Sequence, residues 1–280
     1  MPNLAPEYVA ARGVLLDALE ALGTQRDAII VVGAQAVYLR TGDAGIKGVA
    51  PYTIDADFAL APAQLADEPH IEQVLAEADF VQRGDPGIWW KTVDVGGAPT
   101  EIEVDLMVPE GYAPAGGRRS ARLPPHDRMV ARKAVGLEGT ILDRDLIEIA
   151  SLDGADRRRF TASVAGPAAL VVAKVHKLRD RLAGGKADRI ADKDASDVYR
   201  LMLAVPVAEF LRRLRPLLED ETAGPVCHEA LDLLIQLFGA RSTTGTRMAT
   251  DALRVAVPAA RVADVCTGFV HQVKTGSEWP

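Results

Sequence analysis

The chain has 280 residues, 48% of them hydrophobic and 25% charged, a balance typical of a globular protein long enough for one large domain or two smaller ones. A formal net charge of −7 and a pI near 5.3 argue against a protein that coats DNA through bulk positive charge, but they leave room for a local basic patch. Cys227 and Cys266 fit neither a zinc spacing nor a disulfide framework and read as buried thiols. No basic-then-apolar leader is visible, and the apolar run 168–173 is far shorter than the roughly 20 residues a bilayer requires, so a cytoplasmic protein without membrane partners is expected.

Tyr8, Ala11, Leu15, Leu19 and Leu22 recur at steps of three and four, which predicts a helix over 6–22 closed by Gly23. The run AIIVV, 28–32, predicts a buried strand. Gly33 follows at once; AQAVYLR then predicts a helix ending at Gly42, with a loop over 43–52. TIDADFAL, 53–60, alternates and predicts a strand whose Ile54, Ala56 and Phe58 face the core. A helix is expected over 71–78 and a strand over 88–95, then a turn over 96–99 and an answering strand over 100–108. Residues 109–125 read as a loop, and 142–152 with 157–164 as a strand pair turned at Asp153-Gly154. After Gly166-Pro167 the pattern becomes purely helical: 168–183, 191–204, 207–218, 225–238, 246–255 and 259–274, punctuated by Pro206, Gly224-Pro225, Gly239, Gly245 and Pro258. The expected architecture is α+β: a mixed-sheet domain over 1–165 followed by an all-helical domain over 166–280.

Three features carry chemistry. On a strand, Asp55 and Asp57 share one face, and adjacent carboxylates repel unless something positive lies between them. Mg²⁺ suits such a pair because it prefers hard oxygen ligands and shares them with phosphates. Asp105 lies in EIEVDLMV, with Glu101 and Glu103 on its face; if that strand lies beside TIDADF, a three-carboxylate cluster results, able to hold two Mg²⁺ ions. Gly33-Ala34 stands between a buried strand and a helix, where small residues let backbone N–H groups approach a phosphate. Singly, these are a solvated acidic face and a tight turn. The signal is their order along the chain: strand, small-residue turn, helix, loop, Asp-x-Asp strand, later acidic strand.

VVGAQAVYLR, TIDADF and EVDLM together resemble the nucleotidyltransferase superfamily built on the DNA polymerase β palm. More narrowly, VAKVHKLRDR followed by KADRIADKDASDVYRL is similar to the Lys-rich helix and the Lys-Asp-x-x-Asp helix of AbiEii/AbiGii-type nucleotidyltransferase toxins, including MenT-like ones. The resemblance covers roughly 25–205. It implies a palm-like fold with the active site in the cleft between the two domains. It implies Asp55, Asp57 and Asp105 as metal ligands and catalytic acids. Gly33, Ala34 and Thr53 are implied at the nucleotide, Lys174 at its phosphates, and Asp194 and Asp197 as acids that help fix the site. Lys174, Lys177 and Arg181 share a helix face, where they could orient a polyphosphate and be held by Asp194 and Asp197. Two departures stand out. The turn is Gly-Ala rather than Gly-Ser or Gly-Gly, and Pro51-Tyr52 stands where a basic residue often precedes the acids, leaving Lys47 as a substitute.

The implied activity is Mg²⁺-dependent transfer of a nucleotide from an NTP to an acceptor hydroxyl, in a toxin with a cognate antitoxin, acting on tRNA or another cellular acceptor. A local basic strip, Arg118, Arg119, Arg122, Arg128, Arg132 and Lys133, could guide an RNA backbone. Arg157 to Arg159, the loop 241–247, and Trp89-Trp90 as a base-stacking pair are lesser candidates, and His176 is expected to be incidental. The rival readings are a small-molecule nucleotidyltransferase of the antibiotic-modifying kind and a non-catalytic nucleotide-binding module.

Overall fold

Helix α1 (Pro6–Ala21) opens the chain, and a 3-10 turn leads from it into strand β1 (Ile29–Val32), all four residues of which are buried. This computed structural model describes residues 4–42, 46, 51–184 and 189–276. Helix α2 (Gly33–Thr41) follows β1 directly. The loop expected over 43–52, with Lys47, falls largely outside the described residues. Then come β2 (Asp55–Leu60), α3 (Ile71–Glu77), β3 (Val81–Gln82), β4 (Ile88–Val95) and β5 (Ala98–Pro109). The sheet is completed by β6 (Arg132–Ala134), β7 (Arg144–Ala150) and β8 (Arg159–Ala165).

These strands form one mixed sheet in the order β3-β4-β5-β2-β1-β8-β7, with β6 pairing onto β5. β1 runs antiparallel to β2 and parallel to β8, and β2 runs parallel to β5. The middle of the sheet is therefore β5-β2-β1. Ala56, Phe58, Val104 and Leu106 there are fully buried, as expected for strands covered on that face. Ile54 differs from its expected place: it lies just before β2 and is 51% exposed. Outside the ladder, no strand alternation fixes its direction. The turn between β4 and β5 is also tighter than expected. Val95 pairs with Ala98, leaving only Gly96-Gly97 as the loop, and both glycines have positive φ, 64° and 88°, which a two-residue hairpin requires.

The helical part comprises α4 (Pro167–Ala183), α5 (Arg189–Ala204), α6 (Val207–Glu219), α7 (Gly224–Phe238), α8 (Thr244–Leu253) and α9 (Ala259–Gly276). Tyr199, Phe210, Leu214 and Phe238 are among its core residues, and Phe210 meets Phe269 edge to face at 5.1 Å. Both cysteines are buried and free, and burial pushes the Cys266 thiol up to about 12, so it stays an inert thiol. By compactness the chain divides into one unit of residues 1–36 and 50–165 and another of 37–49 and 166–280. Among the described residues no helix is long and apolar enough to cross a membrane.

Candidate active site

The β1–α2 turn explains why residue 33 is glycine. Gly33 has φ +67°, and a Cβ built on it would lie 1.9 Å from Asp57 Oδ2 and 2.8 Å from Asp57 Cβ. The cause is the ladder itself, since Val32 at the end of β1 pairs with Asp57 on β2. What approaches this glycine in the structure is a carboxylate. Ala34, the next residue, is buried. Gly33→Ala is expected to push Asp57 aside, lowering stability by about 1–3 kcal/mol and turnover by on the order of 10²-fold. Chemical denaturation and pyrophosphate release would read the two effects, and wild-type values in both would remove this role for Gly33.

The acids form a patch fixed by strand register. Asp57 pairs with Asp105 and Asp55 with Glu103 across the parallel β2–β5 ladder, so four carboxylates share one face of two neighbouring strands. Asp57 and Asp105 are buried, while Asp55 and Glu103 are half-buried. Two unit charges about 5 Å apart repel by roughly 3 kcal/mol at an effective dielectric of 20, so the patch calls for a positive partner. The Thr53 hydroxyl donates a short hydrogen bond to Asp55. Asp105 is gripped by Arg132, whose Nε lies 2.9 and 3.1 Å from its two carboxylate oxygens and whose Nη2 also bonds it. Burial by itself would lower the Arg132 pKa. The bond to Asp105 and the charges of Asp105, Asp57 and Glu103 outweigh that and raise it.

Two further residues position these groups. Gln35 is fully buried in α2, and its amide donates to the carbonyls of Asp55 and Ala11, both at 3.1 Å. Gln35 Oε1 in turn accepts from Arg12 Nε at 2.7 Å. Burial lowers the Arg12 pKa, against the raising effect of Tyr8. Gln35 thus holds the start of β2 against α1 and α2. The sequence offered one signal for it, an amide inside an otherwise apolar helix segment. Gly87 has φ +84°, and a Cβ there would lie 2.4 Å from the Leu106 carbonyl and 2.8 Å from the Arg132 nitrogen. It lets β6 close onto β5, with Met107 paired to Arg132, so the guanidinium arrives beside Asp105. A three-residue strand in a polar stretch leaves no hydrophobic alternation to read.

A family model described as Nucleotidyltransferase matches residues 11–223, a span that contains the β1–α2 turn, all four acids and the α4–α5 pair. The chain belongs to the nucleotidyltransferase family. Neither the comparison with curated proteins nor that with solved structures found a match. The family match ends one residue before α7.

In this nucleotidyltransferase the second set of expected site residues lies on α4 and α5. Lys174 is only 4% exposed, and its ammonium sits 2.7 Å from both Asp194 Oδ1 and Asp197 Oδ2. Arg181 reaches Asp194 Oδ2 at 2.6 Å, and Lys177 lies 4.0 Å from Oδ1. Burial would raise the Asp194 carboxyl, but the charges of Lys174, Lys177 and Arg181 hold it down at about 2. The Lys174 ammonium is raised: burial lowers it, and the two aspartates more than reverse that. The stripe of cations is therefore the partner of the α5 acids, and Lys177, its side chain 42% exposed, is the most open of the three. His176 is fully buried, with Nε2 2.9 Å from the Val226 carbonyl.

The lesser candidates separate. Trp89 is core, its indole N–H donating to the Val130 carbonyl at 3.0 Å, while Trp90 is half-buried with Arg83 over its ring at 5.6 Å. Arg158 is tied to Asp17 and Asp156, Arg159 to Glu148 and Arg241 to Asp264. Arg118, Arg119, Arg122 and Arg128 are exposed, and Arg119 pairs with Asp85 at 2.9 Å.

For a divalent cation the donor chemistry fits: carboxylate oxygens on one face, with Asp57 seated in the space that a side chain at Gly33 would take. The assembly is incomplete, because Asp105 is held by Arg132. Among the described residues no group of three or more His, Cys, Asp or Glu side chains is gathered so that it could hold a metal.

Proposed function

We propose that this nucleotidyltransferase moves a nucleotide from an NTP to an acceptor hydroxyl, forming an oxygen–phosphorus bond at the α-phosphorus and releasing pyrophosphate. The observation that carries the reading is the register that sets Asp57 directly opposite Asp105, with Asp55 two residues along on the same face. Asp55 and Asp57 would hold Mg²⁺, with Asp105 as the third ligand once it leaves Arg132. Bound there, Mg²⁺ would supply charge stabilisation for the attacking oxygen and the departing pyrophosphate. The protein's own part is positioning. Thr53 orients the Asp55 carboxylate and Gln35 fixes its backbone. Gly33 leaves Asp57 room to face the substrate. Lys174, closed in by two aspartates, acts through them as a positioning residue rather than at the phosphates directly.

The acceptor proposed is an RNA, tRNA foremost, and the biological role that of an AbiEii-like toxin countered by an antitoxin. The resemblance of α4 and α5 to that group supports the toxin role, and the exposed arginines 118, 119, 122 and 128 suit a polyanionic acceptor. The test is incubation of purified protein with Mg²⁺, total cellular RNA and each labelled NTP in turn. Label entering one RNA class with one NTP supports the reading. No label and no pyrophosphate with any NTP would overturn it and favour a binding module, a reading to which the Arg132–Asp105 grip lends some weight. Replacing Arg118, Arg119 and Arg122 together by Gln is expected to raise the KM for RNA about tenfold or more and to flatten its salt dependence. A small hydroxyl acceptor would be used unchanged by that variant, and equal RNA labelling would remove these arginines from the acceptor site.

A further inference from the structure

Arg132 is a cation in the acidic patch that the nucleotidyl-transfer reading does not employ. Asp55, Asp57, Glu103 and Asp105 bring four negative charges to one face of β2 and β5. Arg132 enters from β6 on the same side and grips Asp105 through Nε and Nη2, with Met107 Sδ a further 3.2 Å contact. Its delivery is built into the backbone. β6 pairs in parallel with β5, the turn at Gly87 has no room for a side chain, and Gly87 bonds both Met129 and Leu106 at 2.9 Å. A fork of two donors on one carboxylate is the strong form of this contact, and it blocks the oxygens that a third metal ligand must offer.

We propose that Arg132 is a resident counter-ion that competes with the divalent cation for Asp105, so that the site takes up metal tightly only when a nucleotide triphosphate gives the guanidinium another anion. The inference rests on the nucleotidyl-transfer reading and adds to it an ordered uptake: nucleotide and metal together, rather than metal first. Without NTP the patch keeps its own positive partner, and idle cations are disfavoured. A purely structural ion pair would predict the opposite effect on metal, since losing it would loosen β6 and weaken the site.

The test uses the full chain, Mn²⁺ as the probe and no acceptor. Calorimetric titration of Mn²⁺ into wild type and Arg132→Gln without nucleotide is expected to show about tenfold tighter binding by the variant, the equivalent of one displaced charge contact. Addition of a non-hydrolysable NTP analogue is expected to bring the two proteins together. Equal or weaker Mn²⁺ binding by a folded Arg132→Gln overturns the proposal. If that variant does not fold, wild type decides. Its Arg132 Nε–H resonance, assigned by comparison with Arg132→Lys, is expected to shift when Mg²⁺ and the analogue are added together and to stay put with Mg²⁺ alone. An unmoved resonance under both conditions overturns the counter-ion role. Failure of wild type to bind the analogue at all removes the nucleotidyl-transfer reading, and this inference with it. Normal analogue binding beside an unmoved resonance removes this inference alone.

Discussion

Asp57→Asn is expected to lower NTP-dependent labelling by on the order of 10³-fold while leaving unfolding free energy within about 1 kcal/mol of wild type. The two halves of that result come from one geometry. Asp57 stands across the ladder from Asp105 and two residues from Asp55, so the substitution removes a central donor to any bound cation. It also removes one of four like charges, which relieves repulsion. Arg132 keeps its grip on Asp105, and asparagine fits the space Gly33 leaves. Paired measurements, labelled-nucleotide transfer and chemical denaturation on the same preparation, check it. A stable Asp57→Asn that still transfers label would rule out the acidic face as the reaction centre. A variant lost to unfolding would show instead that the carboxylate holds the sheet together.

Lys174→Met carries the second large effect, and here it falls on stability. Its ammonium is the only ion-pair partner of Asp197 among the described residues, and it shares Asp194 with Lys177 and Arg181. Removing one member of a buried ion cluster leaves a desolvated charge behind, which costs about 3–5 kcal/mol. Adding Asp197→Asn to Lys174→Met is expected to recover part of the loss, because the stranded charge goes too. A change under about 1 kcal/mol in the single variant would mean that water reaches the cluster. The pH dependence follows from the shifts. Asp194 is held below its ordinary 3.8, at about 2, so its contribution is complete above about pH 4 and is lost as pH falls toward 2. Lys174 is raised above 10.5, so its contribution is complete below that value and is lost only as pH rises beyond it. The stability difference between wild type and Asp194→Asn is expected to hold from about pH 5 to 9 and to shrink below 4.

What could be read from the chain and what could not differ by the range of the interaction involved. The periodicity of Tyr8 to Leu22 gave α1, and the β-branched run at 28–32 gave β1 to within a residue. The break at Gly166-Pro167 gave the change from sheet to helix. Proline and glycine punctuation bounded α6 through α9 closely. Such features rest on contacts between near neighbours in the chain, so the sequence alone carries them. Asp55 and Asp57 share a face for the same local reason, and so do Lys174, Lys177 and Arg181.

Pairing across the fold was decided elsewhere. Nothing local says that Asp105, 48 positions after Asp57, lies opposite it; the parallel register of β2 with β5 does. Nothing local gives Arg132 to Asp105, Gly33 to the Asp57 carboxylate, or Gln35 to the Asp55 carbonyl. The Arg-rich stretch 118–133 looked like an acceptor surface, yet its Arg132 points at the acids, because β6 forms only against β5. Sequence determined which residues carry charge and where the longer helices and strands lie. The tertiary structure decided which charges meet, because strand register and close backbone approach depend on segments far apart in the chain.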